Sequence, residues 1–214
     1  MTLRLTVFGA TGGIGQEIVK QGLAAGHEVT AVVRDPARLT ASGPGLEVFR
    51  ADLADPETLR PAVAGRDAVL SGLGARSRKE AVAGAATRVT VPVLRAMEAE
   101  GVRRLLVVSA APVGPAPEGD PLLDRAVRAV ISALLKDVYT DLTAMEAELA
   151  RSATDWTAVR PPKLTDGPLT GTYRTAVGTG PRSGRTVSRA DVAHAMLAMI
   201  GDPTTVKRGV GVAY

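Results

Sequence analysis

The chain has 214 residues, 45% apolar and only 3% aromatic, which suits one α/β domain with a core of Ala, Val, Leu and Ile. It contains no cysteine, which excludes disulfides and cysteine-ligated zinc. The net charge is +4, but acids are interleaved with bases, as in RDPARL and LKDVYTDL, and no Lys/Arg stripe alternates with aromatics, so nucleic-acid binding is not expected.

LRLTVF (3–8) reads as an apolar strand running into glycines. Residues 13–25 follow as a helix, with Ile14, Ile18 and Ala25 on one side and Gly22 permitting close packing. EVTAVV (28–33) is a second strand and LEVFRA (46–51) a short third. Asp55 and Pro56 open a helix over 55–65, as N-cap and first helical residue. DAVLSGLG (67–74) is a fourth strand, and residues 80–100 form a long helix with Val82, Ala86, Val89, Val93 and Met97 at helical spacing. Pro92 within it removes a backbone donor and predicts a kink near Arg88. RRLLVVSA (103–110) is the fifth strand, and 111–121 is a loop by composition. A helix is expected over roughly 122–152, with Leu135, Val138, Leu142, Met145 and Leu149 as its buried stripe. DWTAVR (155–160) is the sixth strand. Residues 163–185 read as a Gly/Thr/Pro-rich loop with a short strand at 172–177; Ser188 caps a helix over 189–200, and GVGVAY (209–214) closes the chain as a strand. This alternation predicts an open, doubly wound, mostly parallel sheet with helices on both faces. No run approaches the ~20 apolar residues of a membrane span. The opening lacks the apolar stretch of a signal peptide, so a cytoplasmic location is expected.

GATGGIG (9–15) lies where the first strand gives way to the first helix. Gly9, Gly12 and Gly15 are three apart, a spacing that lets backbone approach a pyrophosphate while the helix N-terminus offers free N–H groups and a positive dipole. Within a βαβ unit this pattern points to a dinucleotide. The second strand ends in VVRDPARL. A carboxylate there would bond a ribose 2′-hydroxyl; Arg34 instead suits a 2′-phosphate, and Arg38 can clamp its other side or stack on adenine. The reading favours NADP(H), against the alternative that both arginines are merely solvated. Asp35 suits a cap of the turn into Pro36. Asp52 is placed either for the adenine edge or as the cap of the next turn.

Together GATGGIG, VVRDPARL, ADLAD, SGLGARS, VVSAAP and VRPPKLTDGPLTGTY followed by VSRADVAHAML resemble the atypical short-chain dehydrogenase/reductases with a single-domain Rossmann fold. Among these the chain is most similar to the biliverdin-IX-beta reductase/flavin reductase group, with NmrA-like proteins as broader kin. The resemblance implies NADP(H) held by Gly9, Thr11, Gly12, Gly13, Ile14 and Gly15, by Arg34, Arg38, Asp52 and Leu53, and by Leu73, Gly74, Ala75 and Arg76. It further implies that Ser109, Pro162, Lys163 and Leu164 face the nicotinamide. Ile14 departs from a threonine and Lys163 from a histidine in that group, which removes a phosphate contact and an acid.

The proton-transfer pair of common short-chain dehydrogenases, a tyrosine with a lysine four residues later, is missing: the fourth residue after Tyr139 is Thr143. A flat conjugated acceptor such as a flavin or linear tetrapyrrole needs less help from a fixed acid, with water or Ser109 as proton source, and fits this lack. A non-catalytic, NADP(H)-sensing regulator of the NmrA-like type is the alternative. Arg174, Arg182, Arg185 and Arg189 either meet an anionic substrate or form a solvated basic loop. His27 and His194 have no partner at ligand spacing, so no metal is expected.

Overall fold

The computed structural model describes residues 1–73, 80, 82–117, 119–121, 126 and 130–214. Strands β1 (Arg4–Phe8), β2 (Glu28–Val33), β3 (Leu46–Arg50), β4 (Ala68–Ser71), β5 (Arg104–Val108), β6 (Asp155–Arg160), β10 (Arg208–Ala213) and β8 (Arg174–Val177) form one sheet, in the order β3-β2-β1-β4-β5-β6-β10-β8. All neighbours are parallel except the edge strand β8, which runs antiparallel to β10. This is a Rossmann-like α/β architecture whose order reverses between β1 and β4. Strands β1, β2 and β4 read as nearly unbroken apolar runs because both their faces are covered.

Helix α1 (Gly13–Ala24) and α5 (Arg189–Ala198) cover one face, where Ile14, Ile18, Val192 and Met196 pack on Leu5, Val7 and Val210. The other face carries α2 (Pro56–Val63), α3 (Ala85–Ala99) and α4 (Lys136–Arg151), with Leu59, Val93, Met97, Leu142, Met145 and Leu149 against Phe8, Val69 and Leu105. Gly22 lets α1 lie close on β2: a Cβ there would come 3.2 Å from Val29 Cγ2, and the valine would have to shift by a few tenths of an ångström. Among the described residues no helix is long and apolar enough to cross a membrane.

Several boundaries differ from the sequence expectation, each for a tertiary reason. The helix expected over 80–100 is interrupted: Glu80 and Val82 are helical, Ala83 and Gly84 form a turn, and α3 begins at Ala85. Gly84 enters it in the left-handed region (φ 67°), and Asp141 of α4 accepts the N–H groups of Ala86 (2.8 Å) and Thr87 (3.1 Å). A cap from another helix satisfies the first turn of α3, and Val82, before the turn, is exposed. Pro92 is accommodated inside α3, where it is buried. The expected helix over 122–152 is interrupted: residues 130–134 are helical, Leu135 is a turn, and α4 follows. The buried stripe therefore starts at Val138, and Leu135 is exposed. Ala25 is also exposed, beyond the end of α1.

The stretch 163–185, read as a loop, contains β7 (Lys163–Thr165), which pairs in parallel with β9 (Thr186–Ser188) as a separate two-stranded sheet. The strand expected at 172–177 starts at Arg174. Ser188 caps α5 as expected, accepting from the N–H of Asp191 (2.9 Å). Asp191 in turn fixes the approach to β8: it accepts from Thr170 N, Thr170 Oγ1, Gly171 N and Tyr214 Oη at 2.6–3.0 Å. Burial alone would push this carboxyl up, but the bonds from Tyr214, Thr170 and Gly171 outweigh it and hold the carboxyl at about 2. A folded-state value below the unfolded one adds stability above pH ~4 that disappears as pH falls towards ~2. Asp191→Asn is therefore expected to cost about 2 kcal/mol at neutral pH. Melting curves of both proteins at pH 7 and pH 3 check this: the gap should narrow at pH 3, and equal melting at pH 7 rules out the anchoring role.

Candidate functional site

All carboxyl ends of the parallel strands open on one edge, and the glycine turn lies at the point of strand-order reversal. The turn is closed by Gly12 N donating to Gly9 O (2.8 Å) and by Gln16 Nε2 donating to Thr11 O (3.2 Å). Gly9 has φ 72°, and a Cβ there would lie 2.9 Å from the backbone of Gly72 and Leu73. At Gly15 a Cβ would lie 2.1 Å from Gly9 O. Only glycine lets β1, the end of β4 and the start of α1 meet this closely. No side chain caps α1 and no acid occupies its first turn, so the helix presents bare N–H groups and the positive end of its dipole. Ile14 is buried in the core, so the turn gains only its backbone.

A cavity of about 250 Å³ adjoins the turn, lined by Gly9, Thr11, Val32, Val33, Arg34, Asp35, Arg38, Leu53 and Leu73. Asp35 accepts from Ala37 N (3.1 Å), so its carboxylate caps the short turn Pro36–Arg38, as the sequence suggested. Asp52 accepts from Ala54 N (3.2 Å), which supports the turn-cap reading, while the residue also lines an adjoining opening with Arg34, Arg50 and Ala51. Arg50, which sequence reasoning passed over, enters because β3 pairs Arg50 with Val33. Among the described residues the side chains of Arg34, Arg38 and Arg50 make no hydrogen bond or ion pair. Three guanidinium groups thus share one corner with the two nearby carboxylates already engaged by backbone N–H. Glycines whose missing Cβ atoms admit the backbone, an uncapped helix and unpartnered arginines fit an adenine dinucleotide bearing an extra phosphate.

Farther along the edge, Ser109 lies after β5, with 5% of its surface exposed. Its hydroxyl donates to Glu146 Oε1 of α4 at 2.6 Å. Glu146 also takes two bonds from Arg160 at the end of β6, one from Nε at 3.0 Å and one from Nη2. The Arg160 guanidinium lies where Cβ atoms of Gly114 and Gly209 would be, within 2.6 Å in each case. Two bare backbones thus make room for a buried ion pair. The sequence offered water or Ser109 as the proton source; here the Ser109 proton is directed at a carboxylate. Glu146 and Arg160 were passed over, though a carboxylate between Leu142 and Leu149 on a buried stripe was a visible signal.

Ala111 N donates to Pro161 O (2.9 Å), tying the loop after β5 to the end of β6 beside Pro162, Lys163 and Leu164. Leu164 packs on the core and Lys163 is exposed. Leu73 reaches the cavity, whereas Gly74, Ala75 and Arg76 lie outside the described residues. Tyr139 packs on the core, and burial raises its phenol, the wrong direction for a base. Of the basic segment, Arg174 bonds the carbonyls of Arg182 and Tyr214, which makes it structural. His194 Nδ1 is 2.7 Å from Tyr173 Oη.

A protein family described as NAD(P)H-binding matches residues 9–203. A 3-diazoavenalumate denitrifying reductase of a Streptomyces species is 36% identical over 132 residues, 57% of this chain and 42% of that protein. The chain spans less than half the length of the curated relatives it matches. Two solved structures share the fold. A candidate NADH-flavin reductase of Streptococcus pneumoniae superposes with TM-score 0.81 at 24% identity over 99% of both chains. A short-chain dehydrogenase/reductase of Veillonella parvula, in complex with NADP, superposes with TM-score 0.77 at 20% identity over 100% of this chain and 95% of its own. The matched stretch takes in the glycine turn, the arginine corner and the Ser109 network, and the chain belongs to the NAD(P)H-binding family.

Proposed function

We propose that the protein is an NADPH-dependent reductase that passes hydride to a flat conjugated acceptor, a flavin or a linear tetrapyrrole. The observation that carries this reading is the corner of Arg34, Arg38 and Arg50 beside the glycine turn, where positive charge has no protein partner among the described residues. The NADP-bound Veillonella structure and the two reductases among the similar proteins support it. The glycine turn would hold the diphosphate and the arginines the 2′-phosphate; Asp52, Leu53 and Leu73 would flank the adenosine. A bound nicotinamide cofactor supplies hydride.

The chain's own groups then have modest tasks. Ser109, its proton held by Glu146 Oε1, offers an acceptor that can orient an amide N–H at the nicotinamide end. Arg160 holds Glu146 in place through two bonds, which fixes the serine rotamer. Pro162 and Leu164 would lie beside the nicotinamide. The usual tyrosine–lysine pair is not there to protonate an alkoxide, because Tyr139 is packed in the core and Thr143 stands where a lysine would be needed. An acceptor that delocalises incoming charge, and takes its proton from water, removes that requirement.

The test is steady-state oxidation of NADPH by purified protein with FMN, riboflavin, biliverdin or a quinone. Turnover well above the uncatalysed rate with at least one is expected. Tight NADPH binding without turnover on any of them would sink the reductase reading in favour of a cofactor-sensing regulator.

A further inference from the structure

We propose that Arg189 is a further cofactor-binding residue, whose guanidinium closes over the diphosphate at the first turn of α1. This rests on the reading that a nicotinamide dinucleotide occupies the glycine turn. Arg189 is the first residue of α5, a position where a cation opposes the helix dipole, so helix stability does not account for it. Its side chain crosses to the other helix: Cδ and Nε lie 2.5 and 2.9 Å from where a Cβ on Gly13 would be. Gly13 is therefore a seat for an arginine stem as well as part of the turn. Gln21 Nε2, late in α1, donates to Ala190 O (2.9 Å) and holds the start of α5 against α1.

Arg189 thus brings a guanidinium to the uncapped, positive end of α1, while the N-terminus of α5 is already capped by Ser188. The acid that Nη1 of Arg189 meets is Asp166, whose side chain is 90% exposed. A pair that open to water holds Arg189 weakly and is readily exchanged for a better anion. A diphosphate on the α1 N-terminus is such an anion, and a guanidinium can grip two of its oxygens at once. Asp166 becomes the resting partner, keeping the arm next to the turn before the cofactor arrives.

The diphosphate is common to NADPH and NADH, which separates Arg189 from the arginines at the 2′-phosphate corner. Dissociation constants for both cofactors are to be measured by fluorescence titration for the wild type, Arg34→Ala, Arg189→Ala, Gly13→Ala and Asp166→Asn. Arg189→Ala should weaken NADPH and NADH by similar factors, roughly tenfold or more. Gly13→Ala should do the same in part by displacing the arginine stem; alanine suits a helix better than glycine, so this variant should stay folded. Asp166→Asn, which frees the guanidinium, should tighten both cofactors or leave them unchanged. Binding of both within twofold of wild type by Arg189→Ala overturns the proposal. So does equal weakening by Asp166→Asn and Arg189→Ala, which would make the pair a structural brace. A wild-type chain that binds neither cofactor defeats the underlying reading, a result distinct from both.

Discussion

Arg34→Ala is expected to weaken NADPH binding by roughly 10- to 100-fold and to leave NADH nearly unchanged. A charge-assisted bond from guanidinium to phosphate contributes on the order of 1.5–3 kcal/mol, and each 1.4 kcal/mol is tenfold in affinity. The loss should be confined to the cofactor with the extra phosphate because Arg34 stands at the end of β2, on the far side of the glycine turn from Ser109, where the proposed function puts the nicotinamide. Arg38 and Arg50 share the corner, so the single substitution should leave some preference for NADPH, and adding Arg50→Ala should remove it. Competitive titrations with the two cofactors decide the matter. Equal weakening of both would mean that Arg34 acts on the adenosine and not on its phosphate.

Glu146→Ala should lower stability by about 3–5 kcal/mol, the range for removing one partner of a buried ion pair. Arg160 is 14% exposed and boxed in by the backbones at Gly114 and Gly209, so it cannot turn to water without moving β10 or the loop after β5. Ser109 would lose its acceptor as well. Glu146→Gln keeps the volume and one carbonyl acceptor, so it should cost less than Glu146→Ala. Urea unfolding of the three proteins measures this. A Glu146→Ala loss below about 1 kcal/mol would show that the Arg160 charge finds water after all. If Gln restores stability but turnover stays low, Glu146 also sets the serine that orients the cofactor.

These two expectations differ in how far they could be foreseen. Arg34 was legible in the chain, because a strand, a glycine turn and the residue ending the next strand are ordered by local spacing alone. Arg50 was not, since its relation to Arg34 depends on β3 lying parallel to β2 in one particular register. The Ser109 network joins residues 37 apart in sequence, with the Glu146–Arg160 pair 14 apart. Each member had a local signal, a carboxylate on an apolar stripe or a cation closing an apolar strand, but no spacing rule links them.

The pattern of apolar runs and turn residues sufficed for β1 through β6, a mostly parallel sheet, the N-caps at Asp55 and Ser188, and a glycine turn between β1 and α1. Those features follow from periodicity and backbone chemistry over a few residues. Packing alone settled the late start of α3 under Asp141, the break at Leu135, the pairing of β7 with β9, and the placement of Arg189 on Gly13. Each of these comes from groups distant along the chain satisfying one another's polar atoms or filling one another's space. A one-dimensional pattern carries no term for such contacts; they exist only once the helices are laid on the sheet.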